Sequence, residues 1–511
     1  MKRILSTLSA ASLITSAIAP AAGAATTGAM PASAPVRHVL LVSVDGLHSS
    51  DLAHYVDAHP DSTLATLMKE GIDYSNAHTV APADSFPGLL ALVTGGTPAV
   101  TGVYYDVTYD RKLSAPGSDC RVTGVSVHFD EDIDKPGKDG HPTIDPAKLP
   151  RDPQRGCAAV YPHDYLRVNT VFDAVRNAGG YTAWIDKHPV YEIVEGPSGH
   201  GVSDLFTPEI GGDYEGFNGA LTNGVTNSLA RTEAYDDMKA QAVIHEIDGR
   251  THDGSKAAPV PNVFGLNLQA VNVAQKLSGY RDAEGNLTPN VDSAIGHVDE
   301  TLASFTRELD RRGLRKGTLV IVTAKHGNGP FAPALLHKID KRQLSDAIEH
   351  AAPGALAQLT VDHGALVWLH DASAAPAIAQ ALRNNADALG IAGVLTGEAL
   401  ARRFPSPSKD SRTPDLIVVS RDGVIYTKPG DGKLAEHGGF HDDDTRVALL
   451  ISNPRLTHAG ERLTYPVSTT QVAPTMLAAL GLPPDRLVAV AKEGTAALPG
   501  IGWGGRSQQD N

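Results

Sequence analysis

A chain of 511 residues with 41% hydrophobic and 20% charged side chains has the apolar content to bury a large core, which excludes a disordered protein. Its 58 acidic residues outnumber 44 basic ones, giving a net charge of −14 with no basic block, which excludes a nucleic-acid duplex or an anionic membrane surface as partner. The balance leaves a small phosphorylated ligand open, because the field inside a cleft can oppose the overall sign.

Lys2 and Arg3 precede a small, apolar stretch from Ile4 to Ile18, and Ala22-Gly23-Ala24 has the small-x-small pattern of a cleavage site. This predicts a signal peptide over 1–24, a mature protein from Ala25 and a periplasmic or secreted location. The run is diluted by Ser and Thr and is shorter than the ~20 residues a span requires, so no membrane anchor is expected. Next, Val39-Leu40-Leu41-Val42-Ser43-Val44 ends at Asp45-Gly46 and reads as a buried parallel strand. From about 104 to 162 the chain is rich in Pro and Gly and reads as an inserted loop region. It holds both cysteines, Cys120 and Cys157, which in an oxidising compartment are expected to form a disulfide.

Further along, Ile295, Val298, Leu302, Phe305 and Leu309 recur at steps of three and four, the spacing of an amphipathic helix. The strand Leu319-Val320-Ile321-Val322 follows and ends in Lys325-His326-Gly327. A second insertion, about 330–427, contains a strand at Ala365–Leu369, a helix from Ala375 to Ala388 and a strand at Leu416–Val419, a small βαβ-like subdomain. The run Val447–Ile451 and a helix from Val472 to Leu480 close the pattern. Strands alternating with helices predict an α/β fold, a mainly parallel sheet with helices on both faces. Ligands in such sheets collect at the carboxyl ends of strands, where Asp45 and His326 both fall. Residues 25–511 are read as one domain carrying the two insertions.

Pro87 suits the first turn of a helix running through Leu89–Val93, which puts Ser85 at the helix N-terminus. Two readings follow: Ser85 caps the helix, or it stands where free N–H groups attract an anion. The segment His437-Gly438-Gly439-Phe440-His441-Asp442-Asp443-Asp444 is the densest group of ligand-type residues, with Asp443 and Asp444 read as solvated loop.

Asp45-Gly46, Ser85-Phe86-Pro87, Lys187-His188, Gly196-Pro197-Ser198-Gly199, Thr207-Pro208-Glu209-Ile210, His326-Gly327, His437-Gly438 and Val472-Ala473-Pro474-Thr475 occur in an order that resembles the type I phosphodiesterase/nucleotide pyrophosphatase branch of the alkaline phosphatase superfamily. The resemblance implies an alkaline-phosphatase-like core and hydrolysis of phosphate esters, diesters or nucleotide pyrophosphates. In that case Ser85 is the nucleophile, and a divalent metal, zinc, as one or two ions, is held by Asp45, His326 and His437. His441 and Asp442 are further candidate ligands, and the partner is a small phosphorylated, nucleotide-like substrate; nothing fixes the oligomeric state.

Three departures stand out. Lys325 replaces the family's metal-binding Asp, Gln269 and Val273 fall where an Asp-x-x-x-His pair belongs, and Gly88 replaces an Asn that contacts phosphate oxygens. Asp362-His363-Gly364 spells the missing tripeptide but precedes its strand, which predicts the wrong end of the sheet. Lys325 supplies a fixed positive charge beside Ser85 or points outward to a surface carboxylate. The alternative function is a non-catalytic binding relative with a degraded metal centre. A sulfatase is disfavoured because Leu89 stands where its motif has Arg.

Overall fold

Alternating side chains of the first apolar run point to opposite faces of one strand, and both faces are buried. The computed structural model describes residues 30–137, 142–211, 224–282 and 286–504; the predicted signal peptide lies outside them. The main sheet contains, in chain order, β1 (His38–Val44), β2 (Gly71–Tyr74), β3 (Ala183–Ile185), β4 (Asp204–Phe206), β5 (Val263–Leu268), β6 (Thr318–Thr323), β7 (Leu449–Ser452) and β8 (Glu461–Leu463). Its spatial order is β4-β3-β5-β1-β6-β7-β2-β8. Seven strands run parallel, and β7 alone runs against its neighbours β6 and β2.

Val39 and Leu41 of β1 pack on one face with Leu89 and Leu92 of α1 (Ser85–Thr94). Leu40, Val42 and Val44 pack on the other with Val243 of α2 (Leu229–Ile247), Val271 of α3 (Ala270–Ser278) and Leu302 of α4 (Pro289–Arg311). Helix α5 (Val472–Ala479) joins α1 through Met476 and Leu477. The helix predicted around Ile295–Leu309 is α4, and all five of its stripe residues are buried. With apolar cover on both sides, the sheet presents polar side chains only at its ends, and the carboxyl ends of β1, β3, β5 and β6 lie side by side.

The first insertion consists of short hairpins tied by a Cys120–Cys157 disulfide. The second is a separate four-stranded sheet, and it revises the βαβ-like expectation. Leu416–Ser420 lies antiparallel beside Gly364–Leu369, not parallel to it. The strand parallel to Gly364–Leu369 is Ile391–Leu395, on the far side of Leu416–Ser420, so the crossover is split by an inserted strand. Ile391–Leu395 is short and half exposed, so it carries too little apolar pattern to announce itself. No helix among the described residues is long and apolar enough to cross a membrane.

Candidate active site

Helix α1 starts with Asp84 as its cap: the Asp84 carboxylate accepts from the Phe86 N–H at 3.0 Å. Capping is therefore done by Asp84, and the Ser85 hydroxyl is left to face the strand ends. Ser85 Oγ lies 3.2 Å from His326 Nε2 and 3.5 Å from Lys187 Nζ. His326 follows β6 and Lys187 follows β3, so three elements meet at one hydroxyl.

Asp45, at the end of β1, is fully buried and anchors the group. Its Oδ2 accepts from Gln269 Nε2 at 2.5 Å, Lys187 Nζ at 3.2 Å and Asn267 Nδ2 at 3.3 Å. Lys325 Nζ is 3.5 Å away and His326 Nε2 is 3.9 Å away. Burial alone would push this carboxyl up, but Lys325 and Lys187 hold it well below the usual range.

Lys325 does not point outward. It is wholly buried, between Asp45 and Asp186 (3.7 Å), donates to the Tyr191 hydroxyl at 3.2 Å, and lies 4.6 Å over that ring. Burial, together with Lys187 and Lys239, lowers its pKa more than Asp186 and Asp45 raise it. Lys187 goes the other way: burial lowers it, but Asp45 and Asp186 raise it more, which fixes its charge. Gly88 stands where it does because α1 meets the end of β6 there. A Cβ at this position would lie 2.1 Å from the Lys325 carbonyl oxygen, so the Asn of the family pattern has no room.

The His326 and His437 rings stack at 3.7 Å and 8°. Burial, then the neighbouring His437, holds His326 well below 6.5, and burial followed by Lys276 brings His437 down to about 4. Both are neutral imidazoles at neutral pH. His326 Nδ1 donates to the Gly327 carbonyl at 2.9 Å, which leaves the Nε2 lone pair toward Ser85. His437 lies 3.0 Å from Glu436 and 3.7 Å from Asp84. A cleft of about 590 Å³ adjoins the group through Lys187 and Gln269, and Asn272, Val273, Lys276 and Lys433 are among its other lining residues.

The structure thus brings Asp45, Ser85, Lys325, His326 and His437 together. His441 and Asp442 are elsewhere: His441 is bonded to the Ser420 carbonyl and paired with Asp422, and Asp442 is exposed. The solvated-loop reading of Asp443 and Asp444 fails, because both are buried and Asp444 pairs with His363 at 2.8 Å. Asp362 accepts from the Tyr105 hydroxyl at 2.9 Å and does not reach Asp45; its strand belongs to the second sheet, so the strand-end argument does not apply to it. Sequence reasoning gave Lys187, Asp186 and Tyr191 no role. The signal was there for the first two, since Asp186-Lys187 follows the apolar Ala183-Trp184-Ile185 just as Asp45 and Lys325 follow their strands.

The donors present do not fit a two-zinc centre. Two ammonium groups and two amides already engage Asp45 Oδ2, Gln269 spends its own oxygen on Lys187, and Val273 offers no ligand. Asp45 Oδ1 and Asn267 Oδ1 are buried oxygens left without a hydrogen bond.

The family profile described as type I phosphodiesterase / nucleotide pyrophosphatase matches residues 39–444. No curated protein matches the chain at a significant level. Among solved structures, murine ectonucleotide pyrophosphatase / phosphodiesterase 5, as an inactive variant in complex with AMP, aligns with a TM-score of 0.56 at 15% identity, over 87% of this chain and 95% of that one. Its human counterpart gives 0.55 at 14%, over 91% and 97%. The alkaline phosphatase PafA gives 0.61 at 15%, over 88% and 97%. At these identities the likeness is one of fold.

Proposed function

The chain belongs to the type I phosphodiesterase / nucleotide pyrophosphatase family, a family of phosphoesterase hydrolases, and from that premise we propose that it hydrolyses phosphodiesters or nucleotide pyrophosphates through a phosphoryl group carried on Ser85. The observation that carries this reading is the placement of Ser85 Oγ at a helix N-terminus, 3.2 Å from a neutral imidazole and 3.5 Å from a fixed ammonium. As Oγ attacks phosphorus, its proton passes to His326 Nε2, the phosphorus–leaving-oxygen bond breaks, and the leaving group departs with the bond's electron pair. Ser85 then carries the rest of the substrate as a phosphodiester; water attacks its phosphorus and gives up a proton to solvent, the phosphorus–Oγ bond breaks, and His326 returns its proton to Oγ.

Lys187 is the cation nearest the reacting oxygen, and Asp45 holds it in place from behind. Lys325, tied to both Asp45 and Asp186, adds a second positive charge from below the site. Two single charges stand where two divalent ions would supply four, so the centre stabilises a leaving oxygen less. This favours leaving groups that carry charge well, such as a phosphate or an aryl oxide. Export, implied by the leader at 1–24, belongs to the same proposal.

Ser85→Ala tests it: turnover of bis(p-nitrophenyl) phosphate is expected to fall at least several hundredfold with an unchanged circular dichroism spectrum. Retained turnover removes Ser85 from the mechanism. The locking of Asp45 by Gln269 and Lys325 favours a second reading, a protein that binds a nucleotide without cleaving it. Saturable AMP binding by wild-type chain with no turnover of any phosphodiester would establish that reading instead.

A further inference from the structure

A second group of ligand-type side chains lies in the wall of the same cleft. Glu131 comes from a turn of the first insertion, Asp134 from the hairpin strand Asp134–Pro136, His188 from the loop after β3 and Glu209 from the loop after β4. Ligand atoms of Glu131, His188 and Glu209 all lie within 4.8 Å of one another. His188 Nδ1 is 2.7 and 2.8 Å from the two Glu209 oxygens, and the Gly211 N–H donates to Glu209 Oε1 at 2.7 Å. The His188 ring is held by stacking on Tyr191, with 14° between planes.

Gly211 keeps the approach open. A Cβ there would sit 3.4 Å from Glu209 Oε1 and 3.5 Å from Glu131 Oε1, so both oxygens face one small volume. Glu131, His188 and Gly211 line the cleft together with Lys187 and Gln269.

Independent of that grouping is Asp134. It is 1% exposed, and no backbone, hydroxyl or ammonium donor reaches either carboxylate oxygen; its side-chain hydrogen-bonding contact is with the Glu209 carboxyl, which is itself an acceptor unless a proton is held between the two. A buried carboxylate without a donor is costly, and native structures rarely tolerate one. The contact with Glu209 turns its carboxyl toward the cluster. Lys148 is the cation on this side, yet its ammonium donates to the Asp134 backbone carbonyl, not to the carboxylate. Three carboxylates therefore converge with one imidazole and only a partial counter-charge.

We propose that Glu131, Asp134, His188 and Glu209 form a divalent-cation site in the cleft wall, suited by its oxygen and imidazole donors to Mn²⁺ or Zn²⁺, which takes up the second phosphate of a pyrophosphate substrate. The cation binding stands on these residues alone; the role toward substrate rests on the hydrolase reading above. Glu131 and His188 line the same cleft as Lys187, whose ammonium is 3.5 Å from Ser85 Oγ, so the second phosphate of a substrate attacked at Ser85 is taken to extend along that cleft to the cation. A monophosphodiester needs only the first position.

The test uses the purified full chain, stripped with chelator and titrated calorimetrically with Mn²⁺ alone, then with Zn²⁺ alone. One ion per chain is expected, bound at least tenfold more weakly by Glu131→Gln and by Asp134→Asn, and with wild-type affinity by Ser85→Ala. Glu131 is exposed, so its substitution leaves folding intact even where the buried Asp134 change does not. Absence of saturable binding, or binding indifferent to Glu131→Gln, overturns the site; the first outcome would mean that a proton serves Asp134 in place of a cation. In the substrate arm, Mn²⁺ is expected to lower KM for ATP at least fivefold in wild type but not in Glu131→Gln, with KM for bis(p-nitrophenyl) phosphate unmoved. An equal effect on both substrates overturns the diphosphate role. A chain that binds the ion and cleaves neither substrate keeps the cation site and loses the hydrolase reading.

Discussion

Lys325→Met removes one charge and keeps the length of the side chain. At 3.5 Å from Asp45 and an effective dielectric of about 20, the gross attraction lost is about 5 kcal/mol, before the desolvation that Met no longer has to bear. Asp45 keeps Lys187, but Asp186 loses its ion pair at 3.7 Å and keeps only the more distant Lys187 charge, so the cost is at most the ~3–5 kcal/mol typical of stranding a buried charge. The variant is therefore expected to melt at a lower temperature. If Lys325 also stabilises the transition state, kcat/KM should fall by roughly 2.7–4 kcal/mol, a hundred- to several-hundredfold loss. Stability and rate are separated by the double variant Lys325→Met/Asp186→Asn. Asn at 186 still accepts from the Trp184 indole N–H, a 3.2 Å bond in the wild type, while removing the stranded charge. Thermal melts and initial rates on bis(p-nitrophenyl) phosphate are the assay. The double variant should regain most of the lost stability and none of the rate. Recovery of kcat/KM along with stability would make Lys325 purely structural and refute its electrostatic role.

Gly88→Ala drives a Cβ to 2.1 Å from the Lys325 carbonyl oxygen, so it should cost about 1–3 kcal/mol and lower kcat/KM by shifting Ser85 from His326; unchanged melting and rate would show that α1 has slack. His363, facing Asp444, is raised from 6.5 to about 9 by those charges against the cost of burial. Its stabilisation is thus fully present below pH 6.5 and lost as pH rises through about 9. It amounts to the order of 3 kcal/mol, and the difference between wild type and His363→Gln in denaturant melts should shrink from pH 6 to pH 10. Because no step of the Ser85 reaction runs through an ion, chelator-stripped protein should cleave bis(p-nitrophenyl) phosphate within twofold of untreated protein; restoration only by zinc would refute the lysine-based centre.

Much of the site was legible because parallel strands announce themselves twice, as continuous apolar runs and as polar residues at their carboxyl ends. Asp45 and His326 were found that way, and Ser85 through Pro87 in the first turn of a helix. Lys187 escaped because β3 spans only three residues, too few for its run to stand out. The direction of a long side chain is also not written locally: Lys325 turns inward because Asp45 and Asp186, 280 and 139 positions earlier in the chain, both need a cation. Burial of Asp443 and Asp444 depends likewise on His48 and His363, brought by the main sheet and the second insertion. Gly88 read as a lost phosphate contact, whereas the structure shows a helix–strand approach that tolerates no side chain.

The central claim is that phosphorus is transferred to Ser85. Wild-type protein mixed with excess bis(p-nitrophenyl) phosphate, quenched in acid within the first turnovers and digested, should yield the peptide containing Ser85 with one added p-nitrophenylphosphoryl group by mass spectrometry, and none in Ser85→Ala. Steady turnover with Ser85 unmodified at every quench time, or the label on another residue, would contradict the account.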